Sequence, residues 1–324
     1  MNARRLAAAL AAPACALSLA ACGDDTGTAS DGTERLQLVT SLYPLQEALE
    51  QIGGDHVEVT NLTAAGAEPH DLELTPQDVL TVQEADAVVY LSEFQPAVDD
   101  AAAEADDAYD VREAADLDIA ADAEHDHEGE SEEEHAEHAE GEHAEEGHDH
   151  GSQDPHFWLD PQHYAGVVDA LGEHLAEIDP EHAEEYRSGA ADFRASLEDL
   201  DTEMREGLTG CAHDELVTGH TAFAYLADAY GFEQEGLTGL TPESEPSAQE
   251  MAELVEHVRE HDVSTIYAET LVPTDVADTI AAEAGVEVAV LDPIEGLTDS
   301  SAAEDYLGIM RANLATLQEG QECA

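Results

Sequence analysis

Residues 36–62, LQLVTSLYPLQEALEQIGGDHVEVTNL, read as a strand, a helix and a second strand. Leu36 to Ser41 is a short apolar run suited to a buried strand, Pro44 to Gly53 is helical, and His56 to Leu62 alternates. Strands separated by a helix in this way belong to parallel βα units. The pattern continues with a proline-started helix over Pro76–Ala85, a strand at Asp86–Ser92 (DAVVYLS) and a helix over Ala97–Asp106. It resumes late in the chain. Glu215–Gly219, Val263–Glu269 and Val286–Leu291 are strands, and helices are expected over His220–Tyr230, Ala248–His261, Asp275–Ala284 and Ala302–Leu317.

Between the two alternating regions lie two helices. Gln162 to Ile178 carries Val167, Val168, Leu171, Leu175 and Ile178 at helical spacing. Asp179-Pro180-Glu181 supplies an N-cap, a first-turn proline and a first-turn acid, so a new helix starts there. It runs to about Leu208, roughly 40 Å at the α-helical rise, and reads as a rigid connector. The expected fold class is therefore α/β, two Rossmann-like (βα) lobes joined by a long rigid helix. The first lobe spans 35–161, the connecting helices 162–208 and the second lobe 209–324.

The first 21 residues read as a signal peptide: Arg4 and Arg5 precede an apolar run from Leu6 to Ala21. Leu19-Ala20-Ala21-Cys22 resembles a bacterial lipobox, which makes Cys22 the lipidated N-terminus of the mature chain. Residues 22–34, rich in Gly, Asp, Thr and Ser, then form a flexible tether. Nothing later approaches the roughly 18 to 20 apolar residues of a membrane span. The expected location is extracytoplasmic, anchored to the outer face of the cell membrane.

Composition narrows the partners. There are 77 acidic residues against 9 basic ones, all of them arginine, for a formal net charge of −68. Such a surface repels nucleic acid and anionic headgroups. Solvation of the surface accounts for most of this charge, and diffuse attraction of cations is not a site. Beyond the signal and Cys22 only Cys211 and Cys323 remain, and neither sits in a close Cys-x-x-Cys or Cys/His pair. In an oxidising compartment they are expected to form a disulfide.

Histidine is the informative residue type. Seven histidines (His125, His127, His135, His138, His143, His148, His150) lie among acids, Gly and Ala in residues 122–152. That segment offers nothing to build a core and reads as an auxiliary, weak zinc-collecting loop or a zinc sensor, with a solvated charge run as the alternative. Three other histidines stand where a strand ends and a turn or helix begins: His70 in AAGAEPHDLELTP, His156 in DPHFWLDP and His220 in LVTGHTAF. Asp292, in VAVLDPIEGL, also follows a strand directly. In open α/β sheets ligands gather at the carboxyl ends of strands, and three imidazoles with one carboxylate complete a tetrahedron around zinc. These residues lie far apart in sequence, so only the tertiary fold could assemble them.

The order PHD…TP, a His/acid-rich loop, DPHFWLDP, HTAFAYLADAYG, GLTPESEPS and LDPIEGLT resembles the zinc-specific solute-binding proteins of bacterial ABC importers, the ZnuA-like family. The resemblance covers roughly residues 36–318. It implies two α/β lobes joined by a backbone helix, Zn2+ in the inter-lobe cleft, and His70, His156 and His220 as ligands. It also implies an ABC permease membrane subunit as partner, for a receptor acting as a monomer without catalysis. Manganese-type relatives have a glutamate at the position of His220, so this histidine favours zinc. Asp292 is expected as the fourth ligand, with water or Glu68 as alternatives. Trp158 and Phe157 are expected to pack the cleft wall. Glu269, Glu243 and Glu245 are candidates for contacts behind the ligand histidines or, equally, for a solvated face. His163, His174, His182, His213, His257 and His261 receive no role. A zinc hydrolase is the competing function, since three histidines with an open fourth position also make a catalytic pattern; no H-E-x-x-H helix supports it. A receptor for manganese or another divalent metal, or an adhesin, could use the same scaffold.

Overall fold

The computed structural model describes residues 35–120, 153–240, 242 and 246–324. The signal segment, Cys22 and the tether, the histidine-rich residues 122–152, and Glu243 and Glu245 lie outside the described residues.

Two parallel sheets carry the architecture. The first contains β1 (Leu36–Thr40), β2 (Val57–Asn61), β3 (Ala87–Tyr90) and β4 (Ala108–Asp110) in the order β2-β1-β3-β4. The second contains β5 (Glu215–Thr218), β6 (Glu233–Gly236), β7 (Thr265–Ala268) and β8 (Glu287–Val290) in the order β6-β5-β7-β8. Every pairing is parallel, so the second lobe repeats the topology of the first. Six of these strands are legible as apolar or alternating runs. The other two are not: β4 is only AYD and β6 reads EQEG. Both stand at a sheet edge, where backbone pairing on one side suffices and little apolar surface is buried.

Helices cover both faces of each sheet. They are α1 (Tyr43–Gly53), α2 (Pro76–Glu84), α3 (Pro96–Ala102), α4 (Arg112–Ala115), α5 (Pro161–Ile178) and α6 (Ala183–Gly207), followed by α7 (Ala224–Tyr230), α8 (Ala248–Glu260), α9 (Asp275–Ala284) and α10 (Tyr306–Gly320). Successive strand residues point to opposite faces, and the cores follow that rule. Leu38 and Val89 enter a large inner core, whereas Val39 and Val88 enter a small outer one with Val82 and Ala101. In the second lobe Leu216 and Tyr267 face the inner core, and Val217 and Ile266 face an outer core with Leu254 and Ile280.

The inner core is continuous between the lobes. It runs from Leu38 and Leu45 through Leu171 and Leu175 of α5 and Phe193 and Leu197 of α6 to Ile309 and Leu317 of α10. The contacts are close. A Cβ on Gly189 of α6 would lie 2.4 Å from the carbonyl oxygen of Ile52 in α1, and one on Gly172 of α5 would lie 2.5 Å from the Cβ of Ala190. Helix α6 has 25 residues, about 38 Å of rigid rod.

Three helix starts differ from the sequence expectation. Helix α6 begins at Ala183, after a turn closed by the His182 N–H on the Asp179 carbonyl at 3.2 Å; the Asp179 carboxylate binds the His182 ring at 2.6 Å and the Tyr186 hydroxyl at 2.9 Å. Helix α7 begins at Ala224, leaving His220 in the preceding turn. Helix α10 begins at Tyr306, where the Asp305 side chain accepts the Gly308 N–H at 2.6 Å. The Cys211–Cys323 disulfide is present, tying the end of the chain to the start of the second lobe beside the bonds from Ala212 and His213 N–H to the Gln321 carbonyl.

Candidate metal centre

The first ligand candidate sits on the loop after β2. Gln95 donates to the Pro69 carbonyl at 2.7 Å, the His70 N–H donates to Glu68 Oε1 at 3.1 Å, and Phe94 meets the His70 ring edge-on at 4.6 Å. The backbone and ring are thus held before any ligand arrives.

His156 lies in the turn that opens α5. Asp154 Oδ1 accepts both its N–H, at 2.8 Å, and its Nδ1, at 2.7 Å. Asp154 thereby holds the ring through Nδ1 and turns Nε2 inward, the usual way a carboxylate orients a ligand imidazole. The chain arrives here through an isolated antiparallel bridge between Ala120 and Gln153, reinforced by Asp154 N–H on the Ile119 carbonyl at 2.9 Å. Ala120 and Gln153 therefore lie side by side on the first lobe, next to the site.

His220 follows β5 by two residues. Its N–H donates to Glu269 Oε1 at 2.7 Å and its Nδ1 bonds Glu269 Oε2 at 2.5 Å. Glu269, one of the acids left open by the sequence, thus stands behind a histidine; it comes directly after β7.

The fourth member of the cluster is Glu295, and Asp292 lies outside it. Glu295 Oε1 lies 3.1 Å from His70 Nε2, 3.0 Å from His156 Nε2 and 3.2 Å from His220 Nε2. These four side chains are all buried, with ligand atoms within 4.8 Å of one another. Asp292 is occupied differently. Its Oδ1 accepts the Ile294 N–H at 2.9 Å, and its backbone is clamped by Asn313, which accepts the Asp292 N–H at 2.9 Å and donates to its carbonyl at 2.7 Å. Asp292 therefore shapes the turn that aims Glu295. Trp158 assists by donating Nε1–H to the Pro293 carbonyl at 2.8 Å. Ile294 sits at φ 59°, a left-handed conformation that costs a β-branched residue about 1–3 kcal/mol and persists only where the surroundings impose it. Glu68, the other alternative, lies 3.9 Å from His70 Nε2 and is outside the four-membered cluster. Trp158 and Phe157 are fully buried, behind the site rather than on an open wall.

The electrostatics follow from burial and charge. Burial pulls His70 down to about 4, against the opposing pull of Glu295. Burial also opposes charging of His220, but Glu269 and Glu295 outweigh it and hold its pKa well above the ordinary value. His156 is raised as well, because Asp154 and Glu295 outweigh its burial. Glu295 is buried, yet the facing imidazoles, His220 foremost, hold it well below the usual carboxylate range. Burial and the repulsion of Glu295 push Glu68 up to about 7. The centre is thus an ionised carboxylate ringed by imidazoles, two of them with a raised proton affinity.

Residues 38–320 match the family described as ZnuA, zinc-uptake complex component A, periplasmic. The chain belongs to this family. It is 36% identical over 314 residues to the high-affinity zinc uptake system protein ZnuA of Bacillus subtilis (strain 168), covering 94% of each chain. It is likewise 36% identical to the zinc-binding lipoprotein AdcA of Streptococcus pneumoniae (strain R6), covering 96% of this chain but only 60% of AdcA. The crystal structure of the Zn(II)-bound ZnuA-like domain of that species' AdcA superposes with a TM-score of 0.71 at 31% identity, covering 89% of this chain and all of that domain. The two-lobed fold read from the sequence is the fold of these ZnuA-family structures.

Proposed function

We propose that the chain is a high-affinity extracytoplasmic zinc receptor that holds Zn2+ on His70, His156, His220 and Glu295 and delivers it to the membrane permease of an ABC importer. One observation carries this reading: three imidazole nitrogens converge on a single buried carboxylate oxygen at 3.0–3.2 Å. A tetrahedral zinc with bonds near 2.0–2.1 Å needs ligand atoms about 3.3 Å apart, so the cluster requires only small adjustments to accept the ion. Three nitrogens and one oxygen suit zinc, whereas calcium and magnesium call for oxygen-rich shells.

The same geometry supports a receptor over a hydrolase. A catalytic zinc keeps one position for water, and here the protein side chains supply four. The zinc-uptake and zinc-binding names of the relatives point the same way. The continuous core through α5 and α6 favours small lobe movements on loading. Cys22 carries the lipid anchor in this reading, as the lipoprotein relative suggests. The histidine-rich segment, entering beside His156, collects zinc weakly and feeds the cleft.

Metal analysis and competition titration of the purified chain beside His70→Ala, His156→Ala and His220→Ala test the assignment. Each substitution is expected to abolish the tightest binding event while the histidine-rich segment still takes up zinc weakly. Retention of that event in all three variants would remove the cleft from consideration, and zinc-dependent hydrolysis would favour the enzyme.

A further inference from the structure

Among the described residues outside the cleft, one more group gathers metal-binding side chains. Glu215, His257 and His261 place one potential ligand atom each within 4.8 Å of one another. Glu215 opens β5. Helix α8 connects parallel strands and so runs back along the sheet, bringing its last turn to the end of the lobe where β5 begins. His257 and His261, four residues apart, share one helix face. Their rings stack at 4.1 Å with 20° between planes.

The two imidazoles divide the carboxylate between them. His257 Nε2 contacts Glu215 Oε1, and His261 Nδ1 lies 2.7 Å from Oε2. The base of the site is anchored, since the Glu215 carbonyl accepts Gln321 Nε2–H at 2.8 Å and the Glu215 side chain is only 11% exposed. The mouth is open, because the His261 side chain is 50% exposed. A hydrated ion can therefore reach the group without any change of fold.

The donor set is specific. Two imidazole nitrogens and one carboxylate oxygen, with room for water, suit a borderline divalent cation such as zinc. The exposed carbonyls at the C-terminal end of α8 add negative potential in the same place. His220 and Glu215 flank opposite ends of β5, about 16 Å apart at the rise of a strand, so this group is separate from the cleft.

We propose that Glu215, His257 and His261 form a second, solvent-facing divalent-cation site at the end of the second lobe remote from the cleft. Its three protein ligands and open mouth make it weaker than the buried centre and faster to exchange. The inference does not depend on what the cleft carries.

The test uses the full chain, loaded with stoichiometric zinc and then titrated with excess zinc chloride while long-range 1H–15N spectra follow individually assigned imidazoles. His257 and His261 are expected to shift together along one saturation curve after the cleft histidines have stopped moving. Glu215→Gln should weaken that curve tenfold or more while the cleft signals stay as in the parent. Resonances of His257 and His261 that are indifferent to millimolar zinc in the unmodified chain would overturn the proposal, whatever the variant does. So would an identical curve in folded Glu215→Gln.

Discussion

Replacing Glu295 with glutamine separates the two acids of the LDPIE segment. The side chain is 1% exposed and its Oε1 touches three imidazoles at 3.0–3.2 Å. Glutamine keeps the volume and one carbonyl oxygen but removes the charge. Taking one partner from a buried, paired set of charges costs about 3–5 kcal/mol, and each 1.4 kcal/mol is tenfold in affinity. Glu295→Gln should therefore weaken zinc binding by roughly 100- to 5,000-fold. Asp292→Asn removes a charge that lies outside the cluster and serves the turn through its Oδ1 bond to Ile294. Asparagine retains an oxygen for that bond, so the loss should stay below about tenfold, the lower end of what supporting groups around a metal contribute. The assay is competition against a chromogenic zinc chelator, with thermal melts of both metal-free variants confirming that they fold. The reasoning fails if Glu295→Gln binds within tenfold of the parent while Asp292→Asn loses two orders of magnitude; Asp292 would then be the ligand.

Other expectations follow from the same structure. At neutral pH the raised proton affinity of His220 means zinc must displace a proton, so calorimetry in buffers of different ionisation enthalpy should report release of about one proton or more per cleft zinc. Affinity should rise with pH until His220 has titrated, and buffer-independent heats would refute this. In the metal-free protein His220 contributes stability that is complete below its ordinary value of 6.5 and lost as pH rises through the elevated folded pKa. Glu295 contributes stability present above 4.5 and lost as pH falls through its depressed folded pKa. Melting temperature should accordingly be highest between 4.5 and 6.5 and fall on either side, towards the two folded pKa values; a metal-free protein that gains stability steadily into alkali would contradict this. The Cys211–Cys323 bond closes a span of 112 residues, and opening it should cost about 4–5 kcal/mol in the chain-entropy view. A melt of Cys211→Ser/Cys323→Ser reads the loss, and a shift near zero would mean that the unfolded chain is hardly constrained by the bond. Deleting residues 121–152 should leave the tightest zinc event intact, since Ala120 and Gln153 already meet across a bridge; its disappearance from a titration would place that event in the deleted segment.

Local sequence determined much of this protein, because strand and helix periods and cap residues act over a few positions. The alternation over residues 36–92 and 215–291 located six of the strands within two residues of their ends. The prolines and strand ends around His70, His156 and His220 marked the three imidazoles that meet. What acts across the fold was not legible. The edge strand β6 has no apolar residue to signal it. Histidines 257 and 261 looked like ordinary helix-edge residues until β5 brought Glu215 beneath them. The decisive case is the fourth member of the cleft. Asp292 and Glu295 are three residues apart in one turn, and either could be written beside three histidines on paper. Which one reaches them depends on the left-handed backbone at Ile294, on Trp158 holding the Pro293 carbonyl and on Asn313 holding Asp292. Trp158 and Asn313 lie far from this turn in the chain, and only the packed core brings them to it. Sequence named the chemistry of the site, and tertiary packing chose the carboxylate.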